Sequence, residues 1–373
     1  GGYYSALDAD SEGEEGKYYV WDRGEIERLL GPQELALATR HWGFDDPPNF
    51  EGRHWHARAA APLAADELPL LEAARQKLFA AREQRIRPGR DDKVLSSWNA
   101  LMIEGMAHAA RVFERRDWLA SAQRAMDFIR NTMWQDGEPE PRSDEHASPP
   151  HERGPRGGGR LLATAKDGRA HLDAYLDDHA FLLAALLELM QAEFRGEDMA
   201  FAIELADTLL ARFEDAQHGG FFFTGHDHEA LIHRPKTGHD NATPAGNGIA
   251  AFALQRLGHL LGETRYLAAA EKTLLLFWPQ MRRSPGGFGS LLRALEEALT
   301  PPEIIILRGP ATAMAEWQRA LGAVPQRLVL ALPNGIRGLP AALAKPESDR
   351  VNAWVCRGVT CLPPTANLRS VTN

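Results

Sequence analysis

Three observations predict a mainly α chain folded as an (α/α)6 toroid, with a small α/β appendage at its C-terminal end. Helical hydrophobic periodicity recurs in pairs of segments, one apolar nearly all round and one amphipathic. Glycine-rich turns and short aromatic runs stand between the pairs, at spacings of tens of residues. Beyond residue 300 the helical period gives way to short apolar runs of strand length.

The elements follow in chain order. "LDADSEGEEG", residues 7–16, places five carboxylates between "GGYYSA" and "KYYVW" and reads as the turn of a β-hairpin at a helix–helix junction. An amphipathic helix is expected over about 66–85. Residues 98–113 then carry apolar side chains at helical spacing, and 118–133 show a narrower stripe, Leu119, Ala122, Met126, Ile129 and Met133. "AFLLAALLELM" (180–190) is apolar all round, as a buried helix must be, and is followed by the stripe Ala202, Ile203, Ala206, Leu209, Leu210 and Phe213. "GIAAFALQRLGHLLG" (248–262) and the stripe from Tyr266 to Trp278 form a third pair. The three hairpins begin near 96, 175 and 246. Short strands are expected at "GGFFFT" (from 219), "GGFGSL" (from 286) and "GGGRLLATAKDG" (from 157).

A closed six-hairpin ring needs more helices than the seven or eight visible here, so the toroid is expected to be incomplete on its N-terminal side. The expected division is a partial toroid with β-hairpin insertions over 1–300 and an α/β region over 301–373, built from "EIIIL", a helix over 311–322, "RLVLAL" and "NAWVC". The Pro-, Gly- and charge-rich run at about 135–160 reads as a mobile surface insertion.

Composition narrows the function. A formal net charge of -9 argues against nucleic acid and anionic membranes as partners, and no run of 18 apolar residues exists. Two cysteines, Cys356 and Cys361, are too few for a disulfide framework. Their C-x4-C spacing is a weak redox signal, so free thiols and a cytoplasmic setting are expected. "RGPATA" is not a dinucleotide fingerprint, and no cofactor is assigned.

Polar clusters stand immediately before the three apolar helices: "RDDKVLSSWN", "HLDAYLDDHAF" and "TGHDNATPAGN". Inner helices of a toroid run in one direction, so these clusters should converge on one mouth. A helix start needs one Asp or Asn cap, worth about 1 kcal/mol, which does not account for paired aspartates with Lys, His and Trp. Asp91 and Asp177 are therefore candidate catalytic carboxylates. Asp92, Lys93, Trp98, Asn99, Asp178, His179, His239, Asp240, Asn241 and Asn247 are candidate substrate-binding residues. Asp8 and Asp10 lie two apart on the acidic hairpin and join the catalytic candidates, with Glu14 and Glu15 as solvated turn residues. An EF-hand counted from Asp8 fails at its twelfth position, Tyr19, and His226, His228 and His233 lack companion ligands, so no metal is expected.

"GGYYSALDADSEGEEGKYYVW", "DDKVLSSWNALMI", "LDDHAFLL", "RPKTGHDNATPAGN" and "VCRGVTC", in that order, resemble the C-terminal part of the YyaL / spermatogenesis-associated thioredoxin-like family. The motifs span residues 1–361. The resemblance implies a toroid similar to sugar epimerases and glycosidases, and a thioredoxin-like domain N-terminal to it that these residues do not contain. It also implies that Tyr usually stands where this chain has His179. A sugar-like small molecule is the expected ligand, with isomerisation or hydrolysis as candidate reactions. The alternative is a non-catalytic scaffold serving a thioredoxin-like redox domain.

Overall fold

The computed structural model describes residues 1–135, 159–229, 231–322, 324, 326–357 and 360–372. The insertion expected at about 135–160 falls almost wholly outside them. The chain divides into two compact units, Tyr4–Asp92 and Gly1–Tyr3 with Lys93–Asn373. Among the described residues no helix is long and apolar enough to cross a membrane.

In the unit Tyr4–Asp92, β1 (Ala6–Leu7) pairs antiparallel with β4 (Arg90–Asp91). The acidic stretch is a hairpin, as expected: β2 (Asp10–Ser11) pairs with β3 (Glu14–Glu15). Its two-residue turn needs positive φ twice, which Glu12 and Gly13 supply at 55° and 78°. Helices α1 (Arg23–Leu29) and α2 (Pro32–Trp42) add to α3 (Leu68–Arg82), the helix that the periodicity predicts. Pro32 opens α2 where a missing N–H is harmless, and Gly43 closes it at φ 74°. Trp21, Ile26, Phe44 and Leu78 form the core of this unit.

The larger unit begins with β5 (Val94–Leu95), which feeds the hairpin α4 (Ser96–Val112) and α5 (Arg116–Phe128). One π-helical turn then leads into β6 (Trp134–Gln135). Strand β7 (Arg160–Lys166) pairs with β5, β6 and β8 (Arg169–Asp173), and Asp167-Gly168 make the tight turn. Two further hairpins follow, α6 (Leu176–Ala192) with α7 (Gly196–Arg212) and α8 (Gly246–Leu261) with α9 (Thr264–Arg283). Then comes α10 (Gly289–Leu299). Helices α4, α6, α8 and α10 lie side by side in that order, and α5, α7 and α9 each return along the helix before them. This is an arc of the (α/α) toroid. Helix α6 is buried on nearly all sides, which is why its sequence is apolar nearly all round.

Two expected strands are not strands. "GGFGSL" enters a short 3-10 turn, Pro285–Gly287, and then α10, whose apolar face needs a helix to bury it. "GGFFFT" makes only the isolated bridge Glu214–Phe221.

The C-terminal layer is a sheet ordered β10–β9–β11–β12. Strands β9 (Glu303–Gly309) and β10 (Arg327–Pro333) run parallel, connected by α11 (Ala311–Gly322). Strands β11 (Asn352–Arg357) and β12 (Thr360–Cys361) are antiparallel neighbours, and α12 (Arg369–Thr372) ends the chain. Side chains alternate across the sheet: Ile304 and Ile306 join the helical core, whereas Ile305 and Leu307 pack with Met314, Trp317 and Leu321 of α11. The expected free thiols are instead a disulfide. Cys356 and Cys361 are register partners on β11 and β12 and are bonded to each other. Strand pairing brings the two sulfurs together, which the C-x4-C spacing alone does not reveal.

Candidate functional site

The starts of the four inner helices are stitched side by side by aspartates. Asp178, on α6, accepts hydrogen bonds from two backbone N–H groups, its own helix's Tyr175 and Ser97 at the start of α4, both at 2.8 Å. Asp177 accepts one from Gly246, at the start of α8. Asp240 accepts from Ala245 N–H at 2.8 Å and Ser290 N–H at 2.9 Å, and so links the entries of α8 and α10. The N-terminal ends of α4, α6, α8 and α10 are therefore held side by side.

At these helix starts the side chains divide by role. Asp178 is buried and both its oxygens are occupied by backbone donors. Burial pushes its carboxyl up to about 6, against the two N–H groups that favour the ionised form. Asp177 is half-buried, and burial pushes it up to about 6 as well, with the neighbouring Asp178 charge adding to the shift. Its single backbone bond leaves acceptor capacity unused. Trp98 follows the clamped Ser97 and is 50% exposed. His239 and Asn241 are exposed, and the His239 ring sits 5.4 Å from that of Phe288. Lys93 is half-buried.

Asn99 and Asn247 take no part in an open surface. Both are buried, and their amides hold backbone. Asn247 accepts from Phe221 N–H at 2.7 Å and donates to Phe221 and Thr237 carbonyls at 2.9 and 3.0 Å. Asn99 does the same for Tyr3 N–H and C=O at 2.7 and 3.0 Å, and also donates to the Leu95 carbonyl. Each therefore clasps the aromatic residue of a Gly-Gly-aromatic run. The glycines are required at the second clasp: Gly219 and Gly220 have φ of 76° and 74°, and a Cβ on Gly220 would lie 2.6 Å from Leu276.

His179 is fully buried against Phe213, with ring centroids 4.9 Å apart. Its Nδ1 donates to the Tyr175 carbonyl at 2.9 Å, and its Nε2 has no partner. Burial lowers its pKa to about 4, so it is neutral near pH 7. In this position it is a core ring that fills a slot in the aromatic cluster of Tyr175, Phe213 and His228.

Asp8, Asp10, Asp91 and Asp92 belong to the unit Tyr4–Asp92. Asp8 and Asp10 are exposed, as Glu14 and Glu15 are, so the hairpin does not set the two pairs in different surroundings. An Asp8 oxygen accepts the Asp10 N–H at 3.1 Å. Asp91 pairs through its backbone with Ala6, and Asp92 accepts from Arg90 Nε at 2.5 Å.

Charged residues that the polar clusters do not include gather at the opposite, C-terminal ends of the inner helices. Arg111 of α4 meets Glu188 of α6 at 2.7 Å, and Arg256 of α8 grips Glu297 of α10 through Nε, at 2.8 and 3.0 Å, and also through Nη2. Glu188 and Arg256 interrupt two otherwise apolar helices, "AFLLAALLELM" and "GIAAFALQRLGHLLG". A buried charge needs a partner, and that was the legible signal. Among the described residues no group of three His, Cys, Asp or Glu side chains is placed to hold a metal ion.

No family model matches the chain. It is similar to human spermatogenesis-associated protein 20, 29% identical over 98% of this chain and 50% of that protein. The mouse protein of the same name is 28% identical over 83% of this chain and 42% of its own length. The chain thus spans about half the length of the curated relatives it matches. Among solved structures, a GH76 α-mannanase of Bacteroides thetaiotaomicron aligns over 81% of this chain and 72% of its own, at 11% identity and a TM-score of 0.43. Cellobiose 2-epimerase of Spirochaeta thermophila aligns over 50% and 43%, at 20% identity and a TM-score of 0.37.

Proposed function

We propose, for a chain similar to spermatogenesis-associated protein 20 along nearly its whole length, that the N-terminal mouth of the inner helices is a carbohydrate site with Asp177 as its acid–base group. The observation that carries the reading is the Asp177 carboxyl. It is half-buried, its pKa is raised to about 6, and it has one backbone bond and unused acceptor capacity. A carboxyl that titrates near the working pH is suited to proton transfer with a hydroxyl or glycosidic oxygen. Asp178 holds the mouth in shape, because its oxygens are committed to Tyr175 and Ser97. Trp98 offers a flat apolar face to the C–H side of a sugar ring. His239 and Asn241 are exposed donors and acceptors on the segment that leads into α8. Sugar isomerisation and glycoside hydrolysis are the reactions this group serves.

The test is titration of the purified chain with a panel of neutral mono- and oligosaccharides, read by calorimetry and by turnover. Saturable binding is expected, with a pH dependence centred near 6. Asp177→Asn keeps an oxygen for the Gly246 N–H and should abolish the pH dependence and any turnover while leaving the fold intact. Absence of saturable binding across the panel, or an Asp177→Asn variant with an unchanged pH profile, refutes the reading.

A further inference from the structure

The charged ends of the inner helices surround a cavity of about 780 Å³, bounded also by α11 and the start of β10. Its volume suits a small molecule. Five arginines line it: Arg111, Arg256, Arg293, Arg319 and Arg327. Three are held in close ion pairs. Arg111 and Arg256 hold Glu188 and Glu297, and Arg327 holds Glu303 at 2.9 Å. The other two are not. The carboxylate paired with Arg293 is Glu104, 3.8 Å away, and the Arg293 side chain is 49% exposed. Arg319 meets Glu114 at 3.3 Å, with both side chains more than half exposed. An ion pair so exposed is worth little and is readily exchanged.

Two further features prepare the site. The Arg293 guanidinium lies 3.8 Å from the centre of the Phe252 ring, which fixes its plane and leaves its N–H edge available. Glu104 is a weak competitor, because 3.8 Å is beyond direct hydrogen-bond reach of Arg293. Thr300 and Gln326 add neutral hydrogen-bonding groups, and Glu296 adds an acceptor. The wall thus presents arginine to one anionic group and neutral or acidic groups to hydroxyls.

We propose that this cavity is a second ligand site, separate from the mouth at the helix starts, for a small polyhydroxylated molecule carrying one oxyanion, with Arg293 and Arg319 as the arginines of its wall open to a ligand. Glu114, Glu188, Glu296 and Glu297 stand on the same wall and would repel a polyanion. The shared chemistry is the oxyanion, and phosphate and carboxylate are its two sources.

The experiment titrates the whole chain with glucose 6-phosphate, glucuronate, glucose and inorganic phosphate, by calorimetry at low and high ionic strength. Saturable binding of glucose 6-phosphate or glucuronate is expected, and the tighter of the two names the oxyanion. It should weaken as salt rises. Arg293→Gln should lower the affinity about tenfold or more, the loss of a charge-assisted bond. Arg319→Gln, at an exposed position that does not endanger folding, should lower it as well. Arg116→Gln, which removes the same charge from an exposed position on α5, should not. Failure of both charged sugars to bind overturns the proposal. So does binding that neither Arg293→Gln nor Arg319→Gln weakens, which would place the ligand elsewhere, including at the mouth. Neutral-sugar binding at the mouth is read separately through Asp177→Asn, so either idea can fail alone.

Discussion

Replacing Asn247 with alanine separates a bracing role from a binding role. The side chain is fully buried and makes three hydrogen bonds, one accepted from Phe221 N–H and two donated to Phe221 and Thr237 carbonyls. Each is worth about 1 kcal/mol net, and the Phe221 N–H, itself buried, would be left without its partner. The expected loss is about 3 kcal/mol, a large part of the stability of a typical domain. Urea denaturation followed by circular dichroism measures it. Asn247→Asp sharpens the test. Its oxygen can still accept the Phe221 N–H, but an ionised carboxylate faces two carbonyls where the amide donated. That variant should be at least as unstable as Asn247→Ala near neutral pH. It should recover as pH falls, because the introduced carboxyl has a raised folded pKa and its protonated form can donate. A loss below about 1 kcal/mol for Asn247→Ala would refute the clasp as a determinant of stability. Weakened ligand binding at unchanged stability would restore Asn247 to the binding residues.

Three other outcomes follow from particular side chains. His179 is held neutral with a pKa of about 4 instead of 6.5, so between those values the unfolded chain binds a proton that the folded chain refuses, and stability falls as pH drops. His179→Phe should remove that slope, shrinking the stability difference between pH 7 and pH 5 by about 2 kcal/mol, at about 1.4 per pH unit; an unchanged difference in urea titrations contradicts the assignment. Asp177 and Asp178 act in the opposite sense, since their raised pKa values favour the folded chain at low pH and that contribution is lost as pH rises through about 6. Reduction of the Cys356–Cys361 bond should cost about 2 kcal/mol, the loop-closure value for so short a ring. Matched urea titrations with and without reductant measure it, and identical midpoints argue that the strand pairing alone holds β12.

The helical hairpins were legible because their periodicity is strong: the pairs expected near 96, 175 and 246 are α4–α5, α6–α7 and α8–α9. The acidic hairpin was legible from its glycine and its charge. The roles of the polar residues were not. Asp, Asn and His are written alike whether they cap a helix, clasp a strand, fill a core or face a ligand. Asn99 and Asn247 proved to be clasps, Asp178 and Asp240 stitches between helices, and His179 a core ring. What decides among these is burial and the identity of the partner, and the partners lie up to 96 residues away, as for Asn99 and Tyr3. The C-terminal cavity was missed for a related reason. Glu188 and Arg256 stand singly in apolar helices, and only their pairing with Arg111 and Glu297 shows them to be part of one constellation.

The inner helices are tied at their two ends by different forces. At their starts, carboxylates grip backbone N–H groups at short range, as with Asp178 on Ser97 and Asp240 on Ser290. Toward their far ends, side-chain ion pairs do the tying: Arg111–Glu188 joins α4 to α6 and Arg256–Glu297 joins α8 to α10, while Arg293–Glu104 reaches from α10 to the middle of α4. Dissolved ions screen exposed charge pairs far more than buried ones, and Arg111–Glu188 and Arg256–Glu297 are largely buried whereas Arg293 is half exposed. Raising ionic strength should therefore loosen the Arg293–Glu104 contact first and leave the buried ties at both ends fastened, so that the arc keeps its curvature in salt.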